Sequence, residues 1–343
     1  MDNSNILPKL LSMDNVQEKE AEWLIPGYVP KGQITLEGGD GGCGKTTVWC
    51  GIVAGVSSGN KVFFDSTPDG FAKYEPQKVL FFSSEDSLEY TLKSRLRKAG
   101  ANLKNIYTVS LRDDAFSQIK FNSPLLKEII RSIQPALVVF DPIQAFIPPD
   151  VSMSQRNAMR SCLSPLIGLG EEFGVTSLIS MHTNKKANTY GRYRLADSAD
   201  IWDISRSVLI VGQTQEGETR YISQEKSNYG PISETVLFDI EDGVAKFKGY
   251  SDKHDIDFVK DRDYTAYQAP QRYDAEQFIC DFLKNGKKPT KDLDDAAFAS
   301  GISVGTLKRA KTQLRQKGVL GGKSEGYGKN KTFFSYLIEE ESL

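Results

Sequence analysis

The stretch Leu36-Glu37-Gly38-Gly39-Asp40-Gly41-Gly42-Cys43-Gly44-Lys45-Thr46-Thr47 carries the most legible chemistry in the chain. Gly39, four residues, then Gly44-Lys45-Thr46 is the GxxxxGK[ST] spacing of a phosphate-binding loop. Glycines at 39, 41, 42 and 44 let the backbone fold tightly, so that successive N–H groups point at an anion. The helix expected after the loop adds its positive dipole end. Lys45 can then reach the β/γ-phosphates of ATP, and Thr46 can ligate Mg²⁺. Cys43, small enough for the loop, and Thr47 complete the candidate nucleotide-binding set.

Three other apolar runs end on residues able to act on a phosphate. Leu137-Val138-Val139-Phe140 closes on Asp141, a candidate to hold the Mg²⁺ water shell or to cap the next turn. Val79-Leu80-Phe81-Phe82 runs into Ser83-Ser84-Glu85-Asp86. If that strand neighbours the first, Glu85 faces the γ-phosphate and can orient or deprotonate water. Asp86 is then a candidate cap for the following helix. Val175-Thr176-Ser177-Leu178-Ile179-Ser180-Met181 ends on His182, either a γ-phosphate sensor or a structural histidine.

These groups need a scaffold. The runs 34–36, 79–82, 137–140, 175–180 and 208–211 are continuously apolar. Helix-like stretches, such as 87–99 and 154–173, lie between the first four. That alternation implies an α/β fold with a mainly parallel sheet covered on both faces. Short strands at 219–223, 236–240 and 244–248, with Glu241-Asp242-Gly243 as a turn, imply an antiparallel extension. The length of 343 residues suits one large α/β domain plus a small one. The expected division is an arm at 1–30, an ATPase core at 31–249, a charged linker at 250–271 and a second domain at 272–343.

Composition removes several function classes. Lys plus Arg total 43 and Asp plus Glu 45, so the chain is not globally basic. No apolar run reaches the roughly 18 residues of a membrane helix. The N-terminus lacks a signal-peptide pattern. Cys43, Cys50, Cys162 and Cys280 are scattered, as expected for reduced cytoplasmic thiols.

The order of GxxxxGKT, a strand ending Ser-Glu-Asp, a strand ending Phe-Asp-Pro and a strand ending His-Thr-Asn-Lys resembles the RecA-like P-loop ATPase core. More specifically, it resembles the RepA-type plasmid and phage hexameric helicases of the AAA_25 group. Trp23-Leu24-Ile25-Pro26-Gly27 is similar to that group's opening segment, and the likeness covers roughly residues 20–240. The resemblance implies hydrolytic and Mg²⁺ roles for Glu85 and Asp141 and a sensor role for His182. It also implies a coupling or phosphate-stabilising role for Arg206, and a basic residue given across a subunit interface at Lys226. The family's glycine at the start of the arginine segment is Asp197 here. Sites of this kind lie between subunits, which implies a homo-oligomer, a hexameric ring.

Two regions are candidates for DNA. The segment 183–195 holds Lys185, Lys186, Arg192 and Arg194 with Tyr190 and Tyr193 and no acid, a mixture suited to a single strand or to a basic surface loop. Residues 301–331 hold eight basic residues and one acid. There a short turn at Gly301-Ile302-Ser303 precedes a basic helix with Lys308, Arg309 and Arg315 facing outward. The pattern is similar to the C-terminal winged helix-turn-helix of phage-type members, which binds either DNA or protein. The leading expectation is therefore an ATP-hydrolysing, ring-forming DNA helicase or translocase in replication of a plasmid, phage or other mobile element. An ATP-dependent DNA-binding initiator or regulator and a RecA-like recombination or repair ATPase are the alternatives. A small-molecule phosphotransferase is disfavoured, since no substrate lid is legible.

Overall fold

The computed structural model describes residues 10–68, 74–184, 189, 191–215, 217–267, 270–326 and 331–338. Two compact units divide the chain, Met1–Val259 and Lys260–Leu343.

In the first unit a small hairpin, β1 (Trp23–Ile25) and β2 (Val29–Pro30), precedes the central strand β3 (Ile34–Gly39). Helix α1 (Lys45–Ser58) follows the glycine-rich loop. Then come β4 (Val79–Ser83), α2 (Lys93–Lys98), β5 (Ile106–Thr108), α3 (Pro124–Ile133), β6 (Leu137–Asp141), α4 (Arg156–Phe173) and β7 (Thr176–His182). Helix α5 (Ala199–Ile204) leads into β8 (Ser207–Gln213), β9 (Arg220–Ser227), β10 (Thr235–Glu241) and β11 (Val244–Ser251). One nine-stranded sheet results, ordered β11-β10-β9-β8-β3-β7-β6-β4-β5. Its β3, β4, β5, β6, β7 and β8 pair in parallel, and β8 to β11 form the expected antiparallel extension.

The apolar runs are continuous because both faces are buried. Side chains alternate strictly: Leu80, Phe82, Val138, Phe140, Ile179 and Ile210 join one core layer, and Val79, Phe81, Leu137, Val139, Leu178 and Val211 join the other. Each such burial contributes roughly 1.5–3 kcal/mol. Phe140 packs against Phe82, Phe121 and Phe146 with ring centroids 5.0–5.7 Å apart. The hairpin before β3 is part of this body, since Ile25, Tyr28 and Val29 are buried in the second layer.

Strand β4 pairs in parallel with β6, the run that closes on Asp141, as the reading of Glu85 required, and β7 and β6 separate it from β3. One expectation about local order changes. The helix after Glu85 is capped by Ser87, whose side chain accepts from the Tyr90 N–H, and it starts as a π-turn over Leu88–Leu92. Asp86 instead pairs with Arg95 at 3.2 Å.

Much of the charged stretch at 250–271 is helical, as α6 (Asp255–Tyr267). The unit beyond Val259 then contains α7 (Pro270–Leu283), β12 (Lys288–Pro289), α8 (Thr290–Ala299), α9 (Val304–Gln316), β13 (Leu320–Glu325) and β14 (Thr332–Leu337). Its sheet is ordered β12-β14-β13. Ser303 caps α9 through the Thr306 N–H, and Leu307, Ala310 and Leu314 face the small core. Among the described residues no helix is long and apolar enough to cross a membrane.

Candidate nucleotide site

The glycine loop turns from β3 into α1 with Gly44 at φ 108°, a left-handed conformation that a side chain would strain. Gly39 has a second reason to be glycine: a Cβ there would lie 2.5 Å from the Val211 carbonyl oxygen and 2.6 Å from Cys43 Sγ. Lys45, at the first position of α1, is buried. Its Nζ donates to the carbonyls of Gly39 and Asp40 at 2.8 and 2.9 Å, and lies 3.2 Å from His182 Nδ1. An ammonium can only donate, so Nδ1 accepts and the ring proton sits on Nε2. That nitrogen donates to Glu85 Oε1 at 3.2 Å. Phosphate loop, sensor-position histidine and candidate catalytic carboxylate thus form one connected line.

A cavity of about 300 Å³ lies along this line, bounded by Gly42, Gly44, Lys45, Thr46, Thr47, Glu85, Asp86, Arg95, Asp141, His182, Ile240 and Gly243. Parallel pairing sets the strand ends level, with Ser83 beside Asp141 and Gly39 beside His182. Glu85 reaches the cavity because it lies two residues beyond the end of β4, which offsets the two intervening strands. Asp141 is buried and accepts from Trp49 Nε1 at 3.1 Å. Burial pushes its carboxyl up, and the Trp49 donor opposes that. The donor set fits Mg²⁺ and a polyphosphate: loop N–H groups and the Lys45 ammonium for phosphate oxygens, the Thr46 hydroxyl and the Asp141 and Glu85 carboxylates for a hard cation and its water. Cys43 is buried under the loop, and burial pushes its thiol up while Lys45 opposes.

Reasoning from motifs missed three residues here. Arg95, nine positions after Asp86, lines the cavity as part of an ion pair. Arg220, on β9, lies over the loop, 3.2 Å through its Cδ from where a Gly44 Cβ would stand. Glu37, inside the strand before the loop, is fully buried, with neither carboxylate oxygen hydrogen-bonded among the described residues. Its one sequence signal is an acid inside an otherwise apolar run.

Burial drives the Glu37 carboxyl well above its usual 4.5, Asp141 adds to the shift, and Lys45 and Ser180 oppose it. The folded protein therefore keeps a proton here that the unfolded chain releases above pH 4.5, and folding stability falls as pH rises through that window. The slope is at most about 1.4 kcal/mol per pH unit. Glu37→Gln removes this titration. The variant's stability relative to the parent, measured by denaturant unfolding of the nucleotide-free protein, is expected to rise from pH 5 to pH 8. A difference independent of pH would show that Glu37 keeps an ordinary carboxyl.

Other expected site residues are placed differently. Lys226 does not point away from its own chain. Its Nζ donates to the carbonyls of Trp202, Asp203 and Ser205 at 2.8–3.1 Å, capping the C-terminal end of α5. Burial pushes this ammonium down, and Asp203 opposes. Arg206 enters β8 with its N–H on the Ile34 carbonyl and lies outside the residues lining the cavity.

Of the basic segment, Lys185, Lys186 and Tyr190 lie outside the described residues. Arg192 is exposed and pairs with Asp203 at 3.0 Å. Arg194 is a correction to the DNA-facing set. It is only 4% exposed, and its guanidinium lies between Asp40 and Asp255, so its charge is compensated inside the fold rather than offered to a strand. In the second unit Lys308, Arg309 and Arg315 are exposed as expected. Lys311, Lys317 and Lys323 are tied to Asp294, Glu276 and Glu325, which trims the surface charge of that region.

A parallel sheet with this loop at the end of β3, and acids and a histidine at the ends of β4, β6 and β7, defines a RecA-like P-loop ATPase core. Residues 2–188 match AAA_25, described as an AAA domain, and the chain belongs to that family. Curated relatives include DNA repair protein RadA of Helicobacter pylori, 25% identical over 234 residues, 67% of this chain and 45% of the relative. RadA of Bacillus subtilis is 24% identical over 226 residues, 65% of this chain and 42% of the relative. The chain thus spans less than half the length of these relatives. Among solved structures, a KaiC-like protein from Pyrococcus horikoshii OT3 aligns with a TM-score of 0.46 at 17% identity, over 67% of this chain and 99% of that one.

Proposed function

We propose that this chain is an ATP- and Mg²⁺-dependent, ring-forming DNA helicase or translocase serving replication of a plasmid, phage or other mobile element. The observation that carries this reading is the line Lys45–His182–Glu85. Its histidine directly precedes the basic segment 183–195, so the residue placed to sense phosphate adjoins the stretch offered to single-stranded DNA. Lys45 and the loop N–H groups hold the β/γ-phosphates. Thr46 and Asp141 would hold Mg²⁺, which when bound would supply charge stabilisation to the phosphate oxygens. Glu85 accepts the proton of the attacking water, and His182 orients it. Arg206, outside its own chain's cavity lining, serves a neighbouring subunit in a hexamer.

Lys185, Lys186 and Arg192 contact the single strand. The second unit acts as a winged helix, with Lys308, Arg309 and Arg315 meeting duplex phosphates. A recombination or repair ATPase without unwinding is the second reading, favoured by the RadA relatives.

One set of measurements separates them: ATPase rate with and without single-stranded DNA, strand displacement on a forked duplex, and mass with a non-hydrolysable ATP analogue. DNA stimulation with displacement and an oligomer is the expected result. Stimulation without displacement selects the repair reading. No stimulation together with a monomer overturns both.

A further inference from the structure

One carboxylate of the phosphate loop fastens both ends of the basic segment. Asp40 accepts from the Thr183 hydroxyl on one oxygen and from Arg194 Nη2, at 2.7 Å, on the other. Thr183 directly follows His182, and Arg194 closes the far end of the same segment. The two stems are also tied to each other. The Asn184 N–H donates to the Arg194 carbonyl at 2.8 Å, and its side-chain amide donates to the Tyr193 carbonyl at 2.7 Å.

Both stems also lie against the strand that leads into the loop. The Thr183 N–H donates to the Gly39 carbonyl at 3.2 Å. Leu195 is buried so closely on Gly38 that a Cβ there would come within 2.5 Å of it. The far side of Arg194 is anchored by Asp255. That buried carboxylate also accepts from the Tyr221 hydroxyl at 2.8 Å and from the Gly191 N–H at 3.3 Å. Asp40 is also the residue whose carbonyl accepts from Lys45 Nζ.

We infer that Asp40 and Arg194 are positioning residues that couple nucleotide binding at Lys45 to the conformation of segment 183–195. A phosphate that takes the Lys45 ammonium releases the Asp40 carbonyl. The shift of Asp40 then reaches both stems at once through its carboxylate. A rigid, desolvated guanidinium held by two carboxylates suits this role, because it transmits displacement where a solvated lysine would absorb it. The inference rests on the nucleotide-binding reading of the loop, and its test separates the two.

The test is hydrogen–deuterium exchange of the full-length chain, with and without saturating non-hydrolysable ATP analogue and Mg²⁺, comparing peptides over 41–47 and 183–195. In the parent both regions are expected to slow on nucleotide addition, 183–195 by at least about fivefold. In Arg194→Gln and in Asp40→Asn the nucleotide-induced slowing at 183–195, taken relative to that at 41–47 in the same sample, is expected to fall below about twofold. Asp40 is half-exposed, so its variant keeps the test decisive if loss of the buried arginine unfolds the chain. A purely structural role would lower the melting temperature and leave this ratio unchanged, and that result overturns the coupling. Absence of protection at 41–47 in the parent overturns the nucleotide reading itself, and the coupling with it.

Discussion

Glu85→Gln is expected to lower the kcat for ATP hydrolysis by about 10²–10⁴-fold, the usual worth of a positioned general base. The carboxylate lines the cavity, accepts from His182 Nε2 at 3.2 Å and is half-exposed, so it can meet a water without being buried. Gln preserves the shape and a hydrogen-bond acceptor for His182, but cannot take the proton. Nucleotide affinity is set by the loop and by Lys45, so the dissociation constant should move far less than kcat. Phosphate release and equilibrium binding of a fluorescent ATP analogue, measured on the same preparation, check both halves. A fall in kcat of less than about tenfold would remove Glu85 as the base and leave it a partner of His182.

Lys45→Ala should show the opposite division. The ammonium is buried between two loop carbonyls and the imidazole, in the position from which a polyphosphate would be met. Its loss removes charge-assisted hydrogen bonds to phosphate, each worth about 1.5–3 kcal/mol. Nucleotide affinity is therefore expected to weaken at least about 10²-fold, or about 2.7 kcal/mol. Hydrolysis should fall with it at any accessible ATP concentration. Calorimetric titration of the variant with ATP and Mg²⁺ is the direct measurement. Affinity within about threefold of the parent would mean that the loop N–H groups alone hold the phosphates. Together the two variants separate a group that binds from a group that acts mainly in the transition state.

How much was legible followed from the range of each interaction. The phosphate loop is local: glycine spacing, a preceding strand and a following helix lie within about 25 consecutive residues, so the site at Gly39–Thr47 could be read directly. The acids and the histidine were legible because each stands just after a continuous apolar run, and a parallel sheet brings all such ends to one edge. Ser303 as a helix cap, and Leu307, Ala310 and Leu314 as an inner face, were legible for the same reason, since capping and helical period act over three to seven residues. The separation of β4 from β3 by β7 and β6 was not readable. Strand order depends on which crossovers pack against which face, and that is settled by contacts between distant segments.

The sequence by itself determined the α/β class, the nucleotide loop, the order of reactive strand ends and the basic composition of two segments, because these depend on residue type and short spacing. Tertiary structure alone decided where individual charges are used. Arg194 reads as one more cation in a basic run, yet it is enclosed by Asp40 and Asp255, which lie 154 and 61 residues away in the chain. Lys226, by resemblance a basic residue given across a subunit interface, caps α5 of its own chain. Glu37 reads as one polar interruption of a strand, yet it is buried behind the phosphate loop under the influence of Asp141. A charge in a sequence has only its neighbours along the chain. In the folded protein its solvation and its partners come from segments that no local pattern specifies, and those set whether it binds a ligand, holds a helix end or links two loops.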